Sequence, residues 1–299
     1  MDESRMIAQI ESGRGFIAAL DQSGGSTPKA LKGYGIEEGA WGSEEEMFAL
    51  IHDMRARIIT SPAFSGDKVI GAILFERTMD GAIDGRPVPD VLKARGVVPF
   101  IKIDKGLEAE ADGVQLMKPM PELDALLDRA VRLGVFGTKE RSVINSANRV
   151  GITAAVRQQF EVAEQVARYG LMPILEPEVS IKIRDRDAAD AILLDEILNQ
   201  LEALRDDRRV MLKLSIPATP GRFNQLIDHP RVLRVVALSG GFSRPEACRE
   251  LARNPGMIAS FSRALLEDLR HSMSDDEFDR ALGEAIEEIY RASTDKAAA

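Results

Sequence analysis

Short apolar segments alternate with amphipathic segments along most of this sequence. Eight apolar runs, each bounded by turn-forming residues and too short for a typical helix, predict buried strands. They span residues 15–20, 69–75, 97–103, 134–138, 171–175, 209–214, 231–238 and 256–261, of which the fourth is the weakest. Between them, apolar residues recur at helical spacing and predict helices over 44–59, 122–133, 153–169, 188–204, 244–254 and 264–271.

Eight strands interleaved with helices predict an α/β protein with a (β/α)8 TIM barrel, a fold of about 250 residues. The chain has 299 residues, and the surplus falls at the termini and in the loop after residue 75. No linker or change in composition divides the sequence, so we expect a single domain over 1–299, with its barrel core at about 15–271. Segment 272–299 predicts a helix over 275–291 and a frayed tail from residue 293.

The charge balance argues against several classes of partner. The net charge is −9, and no block of basic residues offers a surface for nucleic acid or anionic membranes. No apolar run approaches the roughly 20 residues of a membrane span, and the N-terminal sequence lacks the features of a signal peptide. We therefore expect a cytoplasmic enzyme that acts on a small molecule; homo-oligomerisation is left open.

Cysteine and histidine usage argues against disulfide and metal chemistry. Cys248 is the single cysteine, so it forms no internal disulfide, and its setting is typical of an ordinary helix. The three histidines, His52, His229 and His271, lack metal-ligand spacing. We expect chemistry that requires neither a metal nor an organic cofactor.

One charged residue interrupts the sixth apolar run. Lys213 lies within Val-Met-Leu-Lys-Leu-Ser, residues 210–215, where a charged amine is costly to bury. Such a lysine usually pairs with a carboxylate or extends its amine to water. The alternative is that burial beside another cation yields a neutral amine, which can attack a carbonyl and form a Schiff base. This segment alone leaves both interpretations open.

The predicted strand ends supply further polar groups. In a barrel, catalytic side chains come from the C-terminal ends of the strands and the loops that follow. Residues at these ends include Asp21, Glu76, Asp104, Lys105, Lys139, Arg141, Glu176 and Glu178. Each alone is explained by the solvation of loops, but several carboxylates and lysines at one opening predict a proton-transfer site for an anion.

Two groups of residues predict phosphate sites. The first group follows strands seven and eight, where barrels frequently bind phosphate through backbone N–H groups and a nearby positive charge. It consists of Ser239, Gly240 and Arg263. The second group consists of Ser23, Ser26, Lys105 and Arg141. Two such sites at one opening predict a bisphosphate substrate.

Seven motifs in order resemble those of class I fructose-bisphosphate aldolases, the metal-independent kind that form a Schiff base. They are Ala-Ala-Leu-Asp-Gln-Ser-Gly-Gly-Ser (18–26), Ile-Leu-Phe-Glu-Arg-Thr (73–78), Asp-Gly-Arg-Pro (84–87), Ile-Lys-Ile-Asp-Lys-Gly (101–106), Leu-Glu-Pro-Glu (175–178), Leu-Ser-Gly-Gly (238–241) and Ser-Phe-Ser-Arg-Ala-Leu (260–265). The resemblance runs from residue 15 to about 265. It implies cleavage of fructose 1,6-bisphosphate in glycolysis or gluconeogenesis.

The resemblance also implies a role for each matching residue. Lys213 becomes the Schiff-base lysine, and Glu176 the acid/base that assists loss of water from the carbinolamine. Asp21 manages the proton during C–C cleavage, and Lys139 is the cation beside Lys213. The first phosphate group, at Ser239, would hold the phosphate next to the ketone, and the second, at Ser23, the far phosphate.

The chain departs from the family pattern at four points. Gln22 replaces the usual acidic neighbour of Asp21, and Ser262 stands where a glycine is usual. Pro217 comes four residues after the lysine, where the animal-type enzymes have a proline immediately. Those enzymes also end in a proton-relaying tyrosine, whereas the tyrosine nearest the end of this chain is Tyr290.

Two rival functions remain at this level. One is a Schiff-base barrel that acts on a different phosphorylated ketose, since a fold alone does not fix function; Lys105 and Arg141 favour the bisphosphate. The other is a non-catalytic scaffold in which Lys213 is structural. That reading leaves the presence of two carboxylates and two lysines at one opening unexplained.

Overall fold

Eight parallel strands form the central sheet of this computed structural model, which describes residues 1–297. Barrel strands 1 to 8 are Phe16–Leu20, Val69–Leu74, Val98–Lys102, Gly137–Ile144, Met172–Val179, Val210–Ser215, Val232–Leu238 and Ile258–Ala259. Each strand pairs in parallel with the next one along the chain. The predicted (β/α)8 TIM barrel is therefore confirmed.

Barrel strands 1 and 8 meet at a seam that is held by few backbone contacts. Strand 8 has only two residues, and the amide of Ala19 donates to the carbonyl of Phe261 at 3.1 Å. Ser260, directly after this short strand, still donates its amide to the carbonyl of Ala237 in strand 7 at 2.7 Å. The loop that follows carries Ser262 and Arg263 at the mouth of the barrel.

Helices surround the barrel and connect its strands. The α-helices are Glu3–Ser12, Ser26–Gly33, Glu44–Thr60, Glu76–Met79, Val88–Ala94, Leu123–Arg132, Arg149–Arg168, Arg186–Ala203, Asn224–Ile227, Arg244–Ala252, Arg263–Leu266 and Asp275–Thr294. A short hairpin pairs Ala82–Ile83 with Arg86–Pro87, and Val114–Gln115 pairs antiparallel with strand 4. Within residues 1–297, no helix combines the length and the hydropathy needed to cross a bilayer.

Side chains alternate between the inner and outer faces of the strands and form two separate hydrophobic cores. Inward-facing side chains fill the barrel and rest on helix Glu3–Ser12, whereas outward-facing side chains pack against the surrounding helices. The inner core includes Ile10, Ile17, Ala19, Phe100, Ile174, Met211 and Val236. An inward-facing residue further along each strand therefore lies above this apolar layer, at the C-terminal mouth.

Strands 4 and 5 differ from their predicted bounds. The fourth was expected over 134–138 but spans Gly137–Ile144, and the fifth was expected over 171–175 but spans Met172–Val179. Charged residues such as Lys139 and Glu176 interrupt the apolar pattern although they lie inside these strands. Their side chains face the mouth of the barrel, so a hydrophobicity pattern ends the strand too early.

Two predicted segments near the end of the barrel are shorter than expected. The eighth strand is predicted over 256–261 but spans only Ile258–Ala259. The helix predicted over 264–271 begins one residue earlier and spans only Arg263–Leu266. The first has one pairing partner in the sheet, strand 7, which limits its length. The second follows a mouth loop, whose residues face the cavity.

The C-terminal segment is fixed beyond its predicted limit. Helix Asp275–Thr294 runs three residues past the expected end at 291, and its N-terminus is closed by reciprocal hydrogen bonds between Ser274 and Glu277. Lys296 Nζ then donates to three backbone carbonyls, including that of Met257 at 2.6 Å. The predicted frayed tail from 293 is thus ordered through Ala297; residues 298 and 299 lie outside the described residues.

Candidate active site

Four charged side chains form a continuous series of ion pairs at the mouth of the barrel. Lys213 Nζ lies 2.9 Å from Glu176 Oε1, and Lys139 Nζ lies 2.9 Å from Glu176 Oε2. Lys139 Nζ also lies 2.7 Å from Asp21 Oδ2. Each of the four residues is at most 9% exposed. The structure thus brings together all four residues predicted to carry the chemistry.

Strand register explains why these residues meet. Met211 and Ile174 belong to the apolar layer inside the barrel, and Lys213 and Glu176 lie two residues further along the same strands. Because side chains alternate between the two faces of a strand, a step of two residues keeps them facing inward. The backbone of a parallel barrel therefore fixes their separation.

Electrostatics sets the protonation of the buried groups. Burial alone would raise the pKa of Asp21, but Lys139 and Lys213 outweigh it and hold that pKa well below its usual value. Burial acts in the same sense on Glu176, and the two lysines likewise lower its pKa. Burial would lower the pKa of Lys139, yet Asp21 and Glu176 raise it above its ordinary value. Both carboxylates are anions and Lys139 is a cation at neutral pH.

Glu176 separates the two lysines. Like charge between Lys139 and Lys213 was expected to favour the neutral amine of Lys213, but the carboxylate lies in contact with both amines. Glu176 therefore offers an acceptor for a proton leaving Lys213. The arrangement provides a nucleophile with an adjacent base, and a third group, Lys139, that holds the base in place.

A cavity of about 1060 Å³ opens above the ion pairs. Most residues of the predicted phosphate sites line it: Ser23, Ser26, Arg141, Ser239, Gly240 and Arg263. Lys105 does not line the cavity; its amine lies 2.6 Å from Glu76 Oε2, and its side chain is 45% exposed. The structure therefore does not place Lys105 with the residues that line the cavity; it pairs this lysine with Glu76 instead.

Sequence reasoning gave no role to two cavity residues that belong to the same inward face, Lys102 and Glu178. Lys102 follows the inner-core residue Phe100 by two positions, and its Nζ lies 2.8 Å from Asp104 Oδ1. Glu178 follows Glu176 by two positions, and its Oε2 accepts from Arg141 Nε at 2.5 Å. Every second side chain of strands 3 and 5 faces inward, and this alternation is the signal that would have identified both as cavity residues.

The loop after strand 7 has the shape of an anion site. Gly240 and Gly241 have φ of +60° and +118°, and a Cβ on Gly240 would lie 2.8 Å from Ile181 Cγ2. A Cβ on Gly241 would lie 3.4 Å from the Arg263 guanidinium, so this loop and that cation are neighbours. Exposed backbone N–H groups beside a guanidinium are well suited to bind phosphate.

Other candidate reactive groups lie outside this site. Cys248 is buried in helix Arg244–Ala252, and burial raises the pKa of its thiol to about 12. Among residues 1–297, no group of three or more His, Cys, Asp and Glu side chains is arranged to hold a metal ion. Tyr290 does not line the cavity, and Lys296 contacts the backbone just before strand 8, at the N-terminal end of the barrel.

Known structures share this fold at low sequence identity. The chain is 20% identical to fructose-bisphosphate aldolase from Plasmodium falciparum, solved with TRAP and a small-molecule inhibitor; the match covers 99% of this chain and 95% of that one, with a TM-score of 0.78. It is 13% identical to an archaeal fructose-1,6-bisphosphate aldolase whose catalytic lysine is covalently bound to the carbinolamine intermediate, with a TM-score of 0.52 and coverage of 97% and 100%. A Corynebacterium glutamicum protein matches with 15% identity and a TM-score of 0.58 over 98% of this chain and 92% of that one.

Structural similarity at this sequence identity shows the fold but not the family. A family model identifies the family. The model for fructose-bisphosphate aldolase class-I matches residues 3–214, a segment that contains Asp21, Lys139, Glu176 and Lys213. The matched segment covers more than half of the chain. This protein belongs to the class I fructose-bisphosphate aldolase family.

Proposed function

We propose that this protein is a class I aldolase that reversibly cleaves fructose 1,6-bisphosphate to dihydroxyacetone phosphate and glyceraldehyde 3-phosphate. The observation that carries the proposal is the buried series Lys213, Glu176, Lys139 and Asp21, with its contacts of 2.7–2.9 Å. Cleavage between C3 and C4 of a ketose leaves an electron pair on C3. A protonated imine at C2 accepts that pair far better than a carbonyl does.

Imine formation begins with proton transfer within the ion pair. Lys213 gives a proton to Glu176, and the neutral amine attacks the C2 carbonyl to form a carbinolamine. Glu176 then returns its proton to the carbinolamine hydroxyl, which leaves as water. The 2.9 Å contact between Lys213 Nζ and Glu176 Oε1 supports direct transfer in the first step and keeps Glu176 beside the nitrogen that carries the carbinolamine.

Carbon–carbon cleavage uses the second carboxylate. Asp21 accepts the proton of the C4 hydroxyl while the C3–C4 bond breaks and its electrons move into the imine, which becomes an enamine. Glyceraldehyde 3-phosphate leaves, C3 of the enamine takes up a proton that balances the one Asp21 received, and water hydrolyses the resulting imine to release dihydroxyacetone phosphate and free Lys213. Lys139 holds Asp21 as an anion, so this base is ready at neutral pH.

The two ends of the cavity would hold the two phosphates. The loop at Ser239 and Gly240, together with Arg263, would bind the phosphate next to the ketone. Ser23, Ser26 and Arg141 would bind the far phosphate, with Lys102 replacing Lys105. This change follows from position: Lys102 lines the cavity, whereas Lys105 is paired with Glu76.

Different features of the site argue against each of the two rival functions. A scaffold has no use for four buried ionisable groups, whose desolvation is costly. A different phosphorylated ketose would use the same lysine and carboxylates, so the cations at the far end of the cavity, Arg141 and Lys102, favour the bisphosphate. The proposal includes a cytoplasmic location and a role in glycolysis or gluconeogenesis, which rest on the sequence and on the family.

Chemical trapping tests the proposal directly. Borohydride reduces an iminium but not a free amine, so dihydroxyacetone phosphate plus borohydride should inactivate the protein and add mass to the peptide that contains Lys213. Lys213→Met should form no adduct. An adduct on another lysine, or none on the wild-type protein, would overturn the mechanism. Coupled assays with fructose 1,6-bisphosphate and other phosphorylated ketoses then identify the substrate, and preference for another ketose would favour the first rival.

A further inference from the structure

The two mouth residues that depart from the family pattern are in contact with each other. Gln22 Nε2 donates a hydrogen bond to Ser262 Oγ at 2.7 Å, although the residues are 240 positions apart in sequence. Gln22 directly follows Asp21 at the end of strand 1, and Ser262 directly precedes Arg263 after strand 8. Gln22, Ser262 and both of their neighbours line the cavity.

Gln22 is itself held by a buried cation. Arg55 is fully buried in helix Glu44–Thr60, and its Nη2 donates to the backbone carbonyl of Gln22 at 2.6 Å and to Gln22 Oε1 at 3.1 Å. Its Nη1 donates to Thr78 Oγ1 at 2.8 Å. Among residues 1–297 Arg55 forms no ion pair within 4 Å, and the charge of Asp21 opposes the lowering of its pKa by burial. Because Arg55 occupies Oε1, the amide of Gln22 must present its nitrogen to Ser262.

The contact crosses the weakest part of the barrel. Among residues 1–297 no ladder pairs strand 1 with strand 8, which is only two residues long; the backbone bond across the seam runs from Ala19 to Phe261, two residues past strand 8. The loop that carries Arg263 therefore depends on side chains to fix its distance from strand 1. The bond between Gln22 and Ser262 is the side-chain hydrogen bond that spans this seam at the cavity.

We propose that Gln22 and Ser262 are positioning residues that set where Arg263 holds the phosphate beside the ketone, relative to Asp21. The inference rests on the proposed function, because it gives this pair a role in binding that same substrate. Arg55 orients Gln22, Gln22 fixes Ser262, and Ser262 fixes the first turn of the helix that begins at Arg263. Loss of the bond should weaken binding of a ketose phosphate more than it slows the chemical step.

Ser262→Ala tests this role because it removes the acceptor without adding volume. The half-saturating concentration of dihydroxyacetone phosphate for borohydride trapping of Lys213 should rise about three- to tenfold, with the limiting rate of trapping within about twofold of wild type. Ser262→Thr retains the hydroxyl and should restore the wild-type half-saturation. An unchanged half-saturation in Ser262→Ala would overturn the proposal.

Thr78→Val is the matched control. It removes a different hydrogen bond of Arg55 and leaves Gln22 and Ser262 in place. The variant should therefore have lower thermal stability, but its half-saturating concentration of dihydroxyacetone phosphate should equal that of wild type. If Thr78→Val shifts half-saturation as much as Ser262→Ala does, the effect is general loosening around Arg55, and the proposal fails.

Hydrogen exchange separates this proposal from the proposed function. In the absence of ligand, amides of residues 263–266 should exchange about three- to tenfold faster in Ser262→Ala than in wild type or in Ser262→Thr. If wild-type Lys213 is not trapped, the aldolase mechanism fails, and exchange alone decides whether the bond fixes the loop. Equal exchange in all three proteins would overturn the positioning role whatever trapping shows.

Discussion

Lys139 Nζ lies 2.7 Å from Asp21 Oδ2, and the two side chains are 3% and 10% exposed. The same amine contacts Glu176, so one lysine holds both carboxylates of the site. A buried cation between two buried anions keeps all three ionised, because each charge compensates the desolvation of its neighbours. The role of Lys139 is therefore to fix the charge state of the two acid/base groups as well as their positions.

The two carboxylates should fail at different steps when they are neutralised. Glu176 contacts Lys213, so Glu176→Gln should slow formation of the imine, since the amine loses the acceptor for its proton. Asp21 contacts Lys139 instead, so Asp21→Asn should still be trapped by dihydroxyacetone phosphate and borohydride but should lose cleavage. We expect losses of roughly a hundredfold or more in the affected step. Single-turnover trapping and cleavage measurements separate the two; identical behaviour of the variants would refute the division of roles.

Lys139→Met should change the dependence of activity on pH. Lys139 is the strongest influence that opposes burial in lowering the pKa of both Asp21 and Glu176. Loss of the cation should raise the pKa of each carboxyl, so the acidic limb of the kcat/KM profile should move to higher pH. Lys105→Met removes a lysine outside the cavity and serves as the control. An acidic limb that stays in place in Lys139→Met would show that neither carboxylate controls it.

Much of this site was predictable because it depends on strand register. Lys213 and Glu176 lie in or beside apolar runs, and a parallel barrel brings the C-terminal ends of all strands to one mouth. Lys105 follows strand 3 in sequence but does not line the cavity, whereas Lys102 lies two residues after Phe100 and faces inward as Phe100 does. Counting in steps of two from the apolar layer would have distinguished the two lysines.

The seam contact could not have been predicted in the same way. Gln22 and Ser262 are each ordinary polar residues in a loop, and no local pattern relates them. Their contact depends on how strand 8 closes on strand 1 and on Arg55, which reaches Gln22 from a helix. Arg55 sits in an amphipathic pattern where a surface charge is the ordinary expectation. Its burial is a property of the packed structure.

Glu140 should destabilise the protein increasingly as pH rises. It lies in strand 4 between Lys139 and Arg141, is fully buried, and neither carboxyl oxygen has a hydrogen-bond partner among residues 1–297. Burial raises its pKa well above the usual 4.5 or so, and Asp104 adds to the effect. Above pH 4.5 the unfolded chain releases this proton while the folded chain retains it, so the free energy of unfolding falls as pH increases.

Glu140→Gln removes that proton linkage. The variant and wild type should have similar stability near pH 4, and the variant should be more stable by about 1–3 kcal/mol at pH 7.5, a rise of roughly 2–6 °C in melting temperature. Glu284→Gln, at an exposed position, corrects for the change in net charge. Calorimetry at both pH values checks this. Equal melting temperatures of Glu140→Gln and wild type at pH 7.5 would mean that Glu140 is not held neutral in the folded protein.

The two phosphate sites should differ in the substrates that require them. Arg263 lies against the glycine loop after strand 7, so it should contact the phosphate beside the ketone in every substrate. Arg141 and Lys102 line the other part of the cavity and should contact only the far phosphate. Arg263→Ala should therefore impair turnover of both fructose 1,6-bisphosphate and fructose 1-phosphate, whereas Arg141→Ala and Lys102→Ala should impair turnover of the bisphosphate alone.

A lost charge-assisted phosphate contact costs about 1.5–3 kcal/mol, or roughly ten- to a hundredfold in kcat/KM. Arg141 and Lys102 already pair with Glu178 and Asp104, so their losses should fall toward the lower end of that range. Lys105→Ala is the matched control, because its amine contacts Glu76 outside the cavity, and it should turn over both substrates at near wild-type rates. The ratio of kcat/KM for the two substrates within each variant cancels any general loss of folded protein. Equal losses on both substrates in Arg141→Ala and Lys102→Ala, or a selective loss in Lys105→Ala, would show that the far phosphate is bound elsewhere.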